Sequence, residues 1–95
     1  MRRAARVDAN HGQIVAALRR MGASVEDASR MGRGCPDLLV GFRGRTLLVE
    51  VKDGSKPPSD RRLTPDQVRW HERWRGHVAV VSSVDEAVAL LNQHI

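Results

Sequence analysis

The stretch CPDLLVGFRGRTLLVEVKDG, residues 35–54, joins two apolar runs through the pair Arg43-Gly44. Two apolar runs separated by a two-residue turn that contains glycine predict an antiparallel β-hairpin. With these two residues as the turn, counting outward gives the opposed pairs Phe42 with Arg45, Leu38 with Val49, and Asp37 with Glu50. A three-residue turn would shift this register by one position.

Three charged residues interrupt the predicted hairpin: Asp37, Glu50 and Lys52. Charged side chains are rarely buried unless they are paired or bind a ligand. Directly opposed carboxylates lie about 5 Å apart and repel each other by about 3 kcal/mol at an effective dielectric constant of about 20. A repulsion of this size is a large fraction of the stability of a small protein. Some further interaction is therefore expected to offset the repulsion between Asp37 and Glu50.

A divalent cation removes the repulsion, because Mg²⁺ binds one or two carboxylates together with water and phosphate oxygens. Glu50 and Lys52 are two residues apart, so on a strand both side chains point to the same face. The amine then lies beside the cation, where it can hold or deprotonate an attacking water and offset phosphate charge. The pattern favours a metal-dependent site that cleaves phosphodiester bonds.

A purely structural interpretation of the same residues remains open. Asp37 would then cap the preceding turn, and Glu50 and Lys52 would lie on the solvent face of an edge strand. Neither Pro-Asp nor Glu-x-Lys is specific by itself. Their order on two strands that fold the acids toward each other favours the site.

The rest of the chain alternates helical and strand patterns around this hairpin. Asp8 and Asn10 are candidate caps for a first helix that ends at Gly22, and a short strand is expected after it. Thr64 is followed by proline and then by Gln67, which predicts a capping box at the start of a helix. A further strand and a last helix complete the pattern of an α/β domain with a mixed sheet flanked by helices.

The composition fits one small domain with an anionic partner. A chain of 95 residues is expected to form a single domain over 1–95, with 1–7 as a basic, flexible arm. Sixteen Lys and Arg residues against 11 acids give a formal charge of +5, which favours nucleic acid as the partner; solubility alone is the alternative. No apolar run is long enough to span a membrane, and the single cysteine fits a reducing cytoplasm.

The chain resembles the stand-alone VRR-NUC nucleases of phages and bacteria, within the PD-(D/E)XK superfamily. The resemblance covers almost the whole sequence, through the segments NHGQIVAALRRMGA, GCPDLLVG, LVEVKDGSKPP, LTPDQVRWHERW and VAVVSSVDEA in this order. It implies an α/β, restriction-endonuclease-like core with a central mixed sheet. It also implies DNA cleavage that depends on Mg²⁺ or Mn²⁺.

The resemblance assigns roles to individual residues. Asp37 and Glu50 match the metal ligands, helped by the backbone carbonyl of Val51, and Lys52 matches the catalytic lysine. Gln67 matches a glutamine near the active site, although its place in a capping box explains it equally well. A further position, Gln13, matches a first-helix slot that often carries glutamate; a contact to metal-bound water, or no role, is expected because an amide is a weak ligand.

Basic residues on both sides of the proposed site are candidate contacts to DNA phosphates. Lys56, Arg61 and Arg62 follow the catalytic strand, and Arg30 and Arg33 flank the glycine turn before it. A solvated surface is the alternative for all five. The helical stripe that contains the two tryptophans, at 70 and 74, is expected to pack in the core rather than to form a dimer contact.

Together these features predict a metal-dependent DNA endonuclease of the cytoplasm of a bacterium or a phage-infected host. By its resemblance to Holliday-junction resolvases it is expected to act as a homodimer on branched or duplex DNA. One alternative is a DNA-binding module or nuclease subunit that needs a partner for cleavage. A second is an RNA nuclease on the same scaffold.

Overall fold

The structure is a computed structural model that describes residues 9–94, so the predicted basic arm at 1–7 lies outside the described residues. The helices and strands of this part of the chain are α1 (His11–Arg20), β1 (Ser24–Asp27), β2 (Leu38–Phe42), β3 (Arg45–Val51), α2 (Pro65–Arg73), β4 (Val78–Val81) and α3 (Val84–His94). The strands form one sheet in the order β1-β2-β3-β4, with β1, β2 and β3 antiparallel and β4 parallel to β3. The predicted mixed sheet with flanking helices is confirmed.

The hairpin has the predicted two-residue turn and the predicted register. Phe42 pairs with Arg45 and Leu38 with Val49. Arg43 and Gly44 both have positive φ, 53° and 78°. Turns with positive φ at both central positions match the twist of the flanking strands, which explains why this short loop closes the hairpin.

The hydrophobic core lies on one face of the sheet, where α1 and α3 pack. Alternate strand residues point into it, and those that the hairpin contributes are Leu38, Val40, Phe42, Leu47, Val49 and Val51. Burying a side chain of this size contributes roughly 1.5–3 kcal/mol. Because strand side chains alternate between faces, the residues between them, including Glu50, belong to the opposite face.

The position of β3 in the sheet bears directly on the charged residues. This strand is central, since it pairs with β2 on one side and β4 on the other. Glu50 lies on it and is only 2% exposed. The alternative that Glu50 belongs to the solvent face of an edge strand is therefore wrong.

Helix α2 begins as predicted but packs differently. It starts with the Thr64 capping box, ends at Arg73 and contributes no buried residue. Trp70 stacks on Trp74 at a ring-centroid distance of 4.7 Å, and Trp74 is 42% exposed. The prediction that these rings pack in the core was wrong, because α1 and α3 already fill the core face.

Asn10 also departs from its expected role. It occupies the N-cap position of α1 but makes no side-chain capping hydrogen bond. Its Nδ2 instead donates to the main-chain carbonyls of Lys52 at 3.1 Å and Ser82 at 2.9 Å. Asn10 therefore ties the end of β3 and the end of β4 to the start of α1. Among the described residues, no helix is long and apolar enough to cross a membrane.

Candidate active site

The carboxylate of Asp37 lies against the catalytic strand predicted from the sequence. Asp37 immediately precedes β2, and its half-buried side chain accepts a hydrogen bond from the main-chain N–H of Val51, with 2.8 Å between Oδ2 and N. The ladder pairs Leu38 with Val49, so the next position outward is opposite Glu50. Asp37 therefore engages β3 and does not cap the turn before it.

Glu50 and Lys52 are held together by one amide side chain from α2. The Nε2 of Gln67 donates to Oε2 of Glu50 at 3.0 Å, and the Oε1 of Gln67 accepts from Nζ of Lys52 at 2.8 Å. Hydrogen bonds to charged groups are stronger than neutral ones, at about 1.5–3 kcal/mol each. Gln67 thus fixes the acid and the amine on the same side of the sheet.

The same glutamine also completes the helix cap. Its Oε1 accepts from the Thr64 N–H at 2.9 Å, and its own N–H donates to Oγ1 of Thr64 at 3.3 Å. An amide oxygen has two lone pairs and an amide nitrogen has two hydrogens, so one side chain can serve both partners. The capping box and the contact with Glu50 and Lys52 are therefore both present, and a role of Gln67 in cleavage stays a prediction.

The donor set beside this bridge suits a hard divalent cation. Asp37, Glu50 and the main-chain oxygen of Val51 supply only oxygen atoms, which Mg²⁺ and Mn²⁺ prefer. Among residues 9–94, no set of three or more His, Cys, Asp and Glu side chains is placed to hold a metal ion. A cation at this position would therefore take two carboxylates, with main-chain and solvent oxygens completing its shell.

Two further side chains lie close to the site, and the sequence did not assign either of them to it. Burial lowers the pKa of His71, with a smaller contribution from the positive charge of Lys52. Burial raises the pKa of the Cys35 thiol, and the negative charges of Glu50 and Asp37 add to the effect. His71 lies one helical turn after Gln67, and this spacing is the sequence signal that could have placed it near the site.

Gln13 is exposed on the first turn of α1. It lines a cavity together with Asn10, Gly54 and Ser82, at the end of β3 beyond Lys52. A contact between Gln13 and metal-bound water stays a prediction.

The candidate DNA-contacting residues lie in the segments that precede Asp37 and follow Lys52 along the chain. Four are exposed: Arg30, Arg33, Lys56 and Arg62. The fifth, Arg61, is half-buried, and its Nε donates to the main-chain carbonyl of Lys56 at 2.7 Å. Arg61 therefore helps to shape this loop, whereas the exposed cations are available to a polyanion.

The comparison with solved structures agrees with this geometry. No protein-family profile matches the sequence, and no curated protein matches it. A solved structure described as a VRR_NUC domain aligns with 93% of this chain and 100% of its own, at a TM-score of 0.69 and 33% sequence identity. That identity over nearly the full length extends the likeness from the fold to the family. The chain belongs to the VRR-NUC family of nuclease domains, with its α/β, restriction-endonuclease-like fold.

Proposed function

We propose that this chain is an endonuclease that hydrolyses DNA phosphodiester bonds with the help of Mg²⁺ or Mn²⁺. The observation that carries the proposal is the Gln67 bridge, which joins the buried carboxylate of Glu50 to the amine of Lys52. Asp37 lies across the hairpin beside this pair, hydrogen-bonded to Val51. Family membership supports the same conclusion.

Asp37, Glu50 and the carbonyl of Val51 are the groups that would hold the cation. When bound, such a cation polarises a phosphate oxygen and lowers the pKa of a water molecule. The protein supplies oxygen ligands on two neighbouring strands, which keeps their relative position fixed.

Lys52 is the group that would hold the attacking water as it loses its proton and offset the negative charge that develops in the reaction. In hydrolysis a water oxygen bonds to phosphorus, the bond from phosphorus to one bridging oxygen breaks, and the proton lost by water ends on the leaving oxygen or in solvent. Nζ of Lys52 can hold the water and offset the growing negative charge. Gln67 orients the amine through its 2.8 Å hydrogen bond.

We further propose that the substrate is branched or otherwise structured DNA and that the active form is a homodimer. Two protomers related by a two-fold axis would bring two sites to one branched substrate. The exposed cations near the site support contacts to DNA phosphates.

The test incubates labelled four-way junction, fork, linear duplex and single strand with the protein, in Mg²⁺, Mn²⁺ or chelator. The variants are Lys52→Ala and, as a charge-matched control, Arg45→Ala at the far end of the hairpin. We expect metal-dependent cutting by the parent and Arg45→Ala but not by Lys52→Ala, concentrated on the junction.

The other outcomes separate the parts of the proposal. Equal cutting of every DNA would remove the junction preference and keep the nuclease. Tight binding without cutting in any metal would favour a binding module, and cutting confined to RNA competitors would favour an RNA nuclease.

A further inference from the structure

We propose that Gly34 is a positioning residue for the active site. Because Gly34 has no side chain, the first turn of α2 packs directly against the loop before Asp37. This packing places Gln67 within hydrogen-bonding distance of Glu50 and Lys52. The inference rests on the proposed function, since it concerns the efficiency of the same site.

The contact between the loop and the helix is between main-chain atoms. A Cβ added at Gly34 would overlap the main-chain carbonyl oxygen of Asp66 and lie 2.9 Å from the main-chain nitrogen of Gln67. Neither atom can move away by rotating a side chain. Any larger residue at this position must therefore displace the start of α2 or the loop itself.

Helix α2 is held in place by few other contacts. None of its residues is buried. Gln67 joins it to the sheet through side-chain hydrogen bonds to Glu50 and Lys52. Because the helix has no buried anchor, the close main-chain contact at Gly34 has a large influence on where Gln67 lies.

A small displacement of α2 is expected to have a large effect on the site. The two hydrogen bonds of Gln67 measure 2.8 and 3.0 Å, so a shift of about 1 Å carries both beyond effective range. Misplacement by about 1 Å can lower a catalysed rate by about 100-fold.

A second glycine in the same loop, Gly32, provides a control for the substitution at Gly34. Gly32 has a φ of 67° with a ψ of −168°, and Gly34 has a φ of 85°, so alanine at either position must take a positive φ that disfavours a side chain. A Cβ at Gly32 meets nothing within 4 Å, in contrast to Gly34. Comparing Gly34→Ala with Gly32→Ala therefore separates the contact with α2 from backbone strain.

The experiment measures single-turnover cleavage of saturating DNA in Mn²⁺ by the parent, Gly34→Ala and Gly32→Ala, each with and without Gln67→Ala. We expect Gly34→Ala to lower the rate about 10- to 100-fold with little change in DNA affinity, and Gly32→Ala to stay within about threefold of the parent. In the Gln67→Ala background we expect Gly34→Ala to cause no further loss, because it acts through Gln67.

Tryptophan fluorescence gives a readout that does not depend on cleavage. The chain has two tryptophans, Trp70 within α2 and Trp74 at its C-terminal cap. Acrylamide quenching should change in Gly34→Ala and match the parent in Gly32→Ala. If the parent cuts no DNA, the proposed function fails, and the quenching comparison still tests whether Gly34 seats α2.

Three results would overturn the inference. The first is an equal rate loss in Gly32→Ala and Gly34→Ala, which would assign the effect to backbone strain. The second is a loss in the Gln67→Ala background as large as in the parent. The third is loss of the folded state in Gly34→Ala by circular dichroism, because a positioning residue must leave the α1 and α3 core intact.

Discussion

At the scale of single residues, Gln67 links the start of a helix to a pair of buried or half-buried charges. Its oxygen accepts from the Thr64 N–H and from the Lys52 amine, and its nitrogen donates to Glu50. Asp37 is comparable, since one carboxylate oxygen accepts from the Val51 N–H and the same side chain is a proposed metal ligand. At both positions a conservative substitution can separate the structural use from the use in the site.

Replacing Gln67 with glutamate should lower cleavage while leaving the helix cap in place. Glu at this position keeps an oxygen for Thr64 and Lys52, and it suits a capping box as well as glutamine does. It loses the donor to Glu50 and sets a like charge against it. Losing a hydrogen bond to a charged group, about 1.5–3 kcal/mol, corresponds to a rate loss of about 10- to 100-fold. Cleavage rate and melting temperature measure the two effects; parental activity would contradict a role in the site.

Asp37→Asn and Asp37→Ala should differ in stability and agree in activity. Asparagine keeps an oxygen that can accept from the Val51 N–H, whereas alanine leaves that group without its partner. An unsatisfied buried donor lowers the free energy of unfolding by about 1–3 kcal/mol. We expect both variants to lose cleavage and only Asp37→Ala to lose stability, as measured by urea unfolding. Cleavage by Asp37→Asn at the parental rate would show that its charge is dispensable.

At the scale of elements, the two faces of the sheet carry different kinds of residue. One face carries the core with α1 and α3, and the other carries Glu50 and Lys52, with α2 beside them. α2 is an amphipathic helix without a buried residue, so its place depends on polar contacts and on its half-buried His71.

The half-buried His71 should make the protein more sensitive to acid. Burial lowers its pKa below the ordinary value of 6.5, so the unfolded chain takes up a proton first as the pH falls. Stability therefore decreases as the pH drops below about 6.5 and levels off below the folded pKa. Melting temperatures at about pH 7.5 and about pH 5.5 should differ less for His71→Gln than for the parent. His77→Gln, which replaces an exposed histidine, serves as the control, and an unchanged pH dependence in His71→Gln would contradict the prediction.

The elements also show why some features followed from the sequence and others did not. The hairpin and the Thr64 capping box are local patterns within a few residues, and both were correctly predicted. The prediction that the Asn10 side chain caps α1 was wrong, because its hydrogen-bond acceptors lie 42 and 72 residues away in the sequence. The prediction that Trp74 is buried was wrong. An apolar stripe shows that a helix has an apolar face, but it does not show whether other helices already cover the face of the sheet on which the helix would pack.

At the scale of the whole molecule, exposed positive charges occur in the segments next to the candidate site along the chain. The net charge of +5 comes largely from arginines, and exposed cations flank the loops on either side of Asp37 and Lys52. The sequence singled out Asp37, Glu50, Lys52 and Gln67, which the structure brings together and whose roles in cleavage stay predictions. It could not predict that Gly34 contacts α2, since that contact joins main-chain atoms of two separate segments.

Removing one surface charge should affect DNA binding according to its position. Arg62 is exposed two residues before the α2 cap, whereas Arg45 is exposed at the far end of the hairpin. Each lost phosphate contact reduces the slope of log affinity against log salt by about 1. We expect this reduction for Arg62→Ala and the parental slope for Arg45→Ala, measured by fluorescence anisotropy between about 50 and 200 mM salt. Equal slopes for both variants would show that net charge alone drives binding.

The most direct test of the proposed site compares the parent with Glu50→Gln. Glutamine keeps the shape of the side chain and an oxygen for Gln67, and it removes only the charge. The parent should cleave DNA in Mg²⁺ or Mn²⁺ and stop in chelator, while Glu50→Gln should be at least about 100-fold slower with an equal or higher melting temperature. Cleavage by Glu50→Gln at the parental rate would contradict the account.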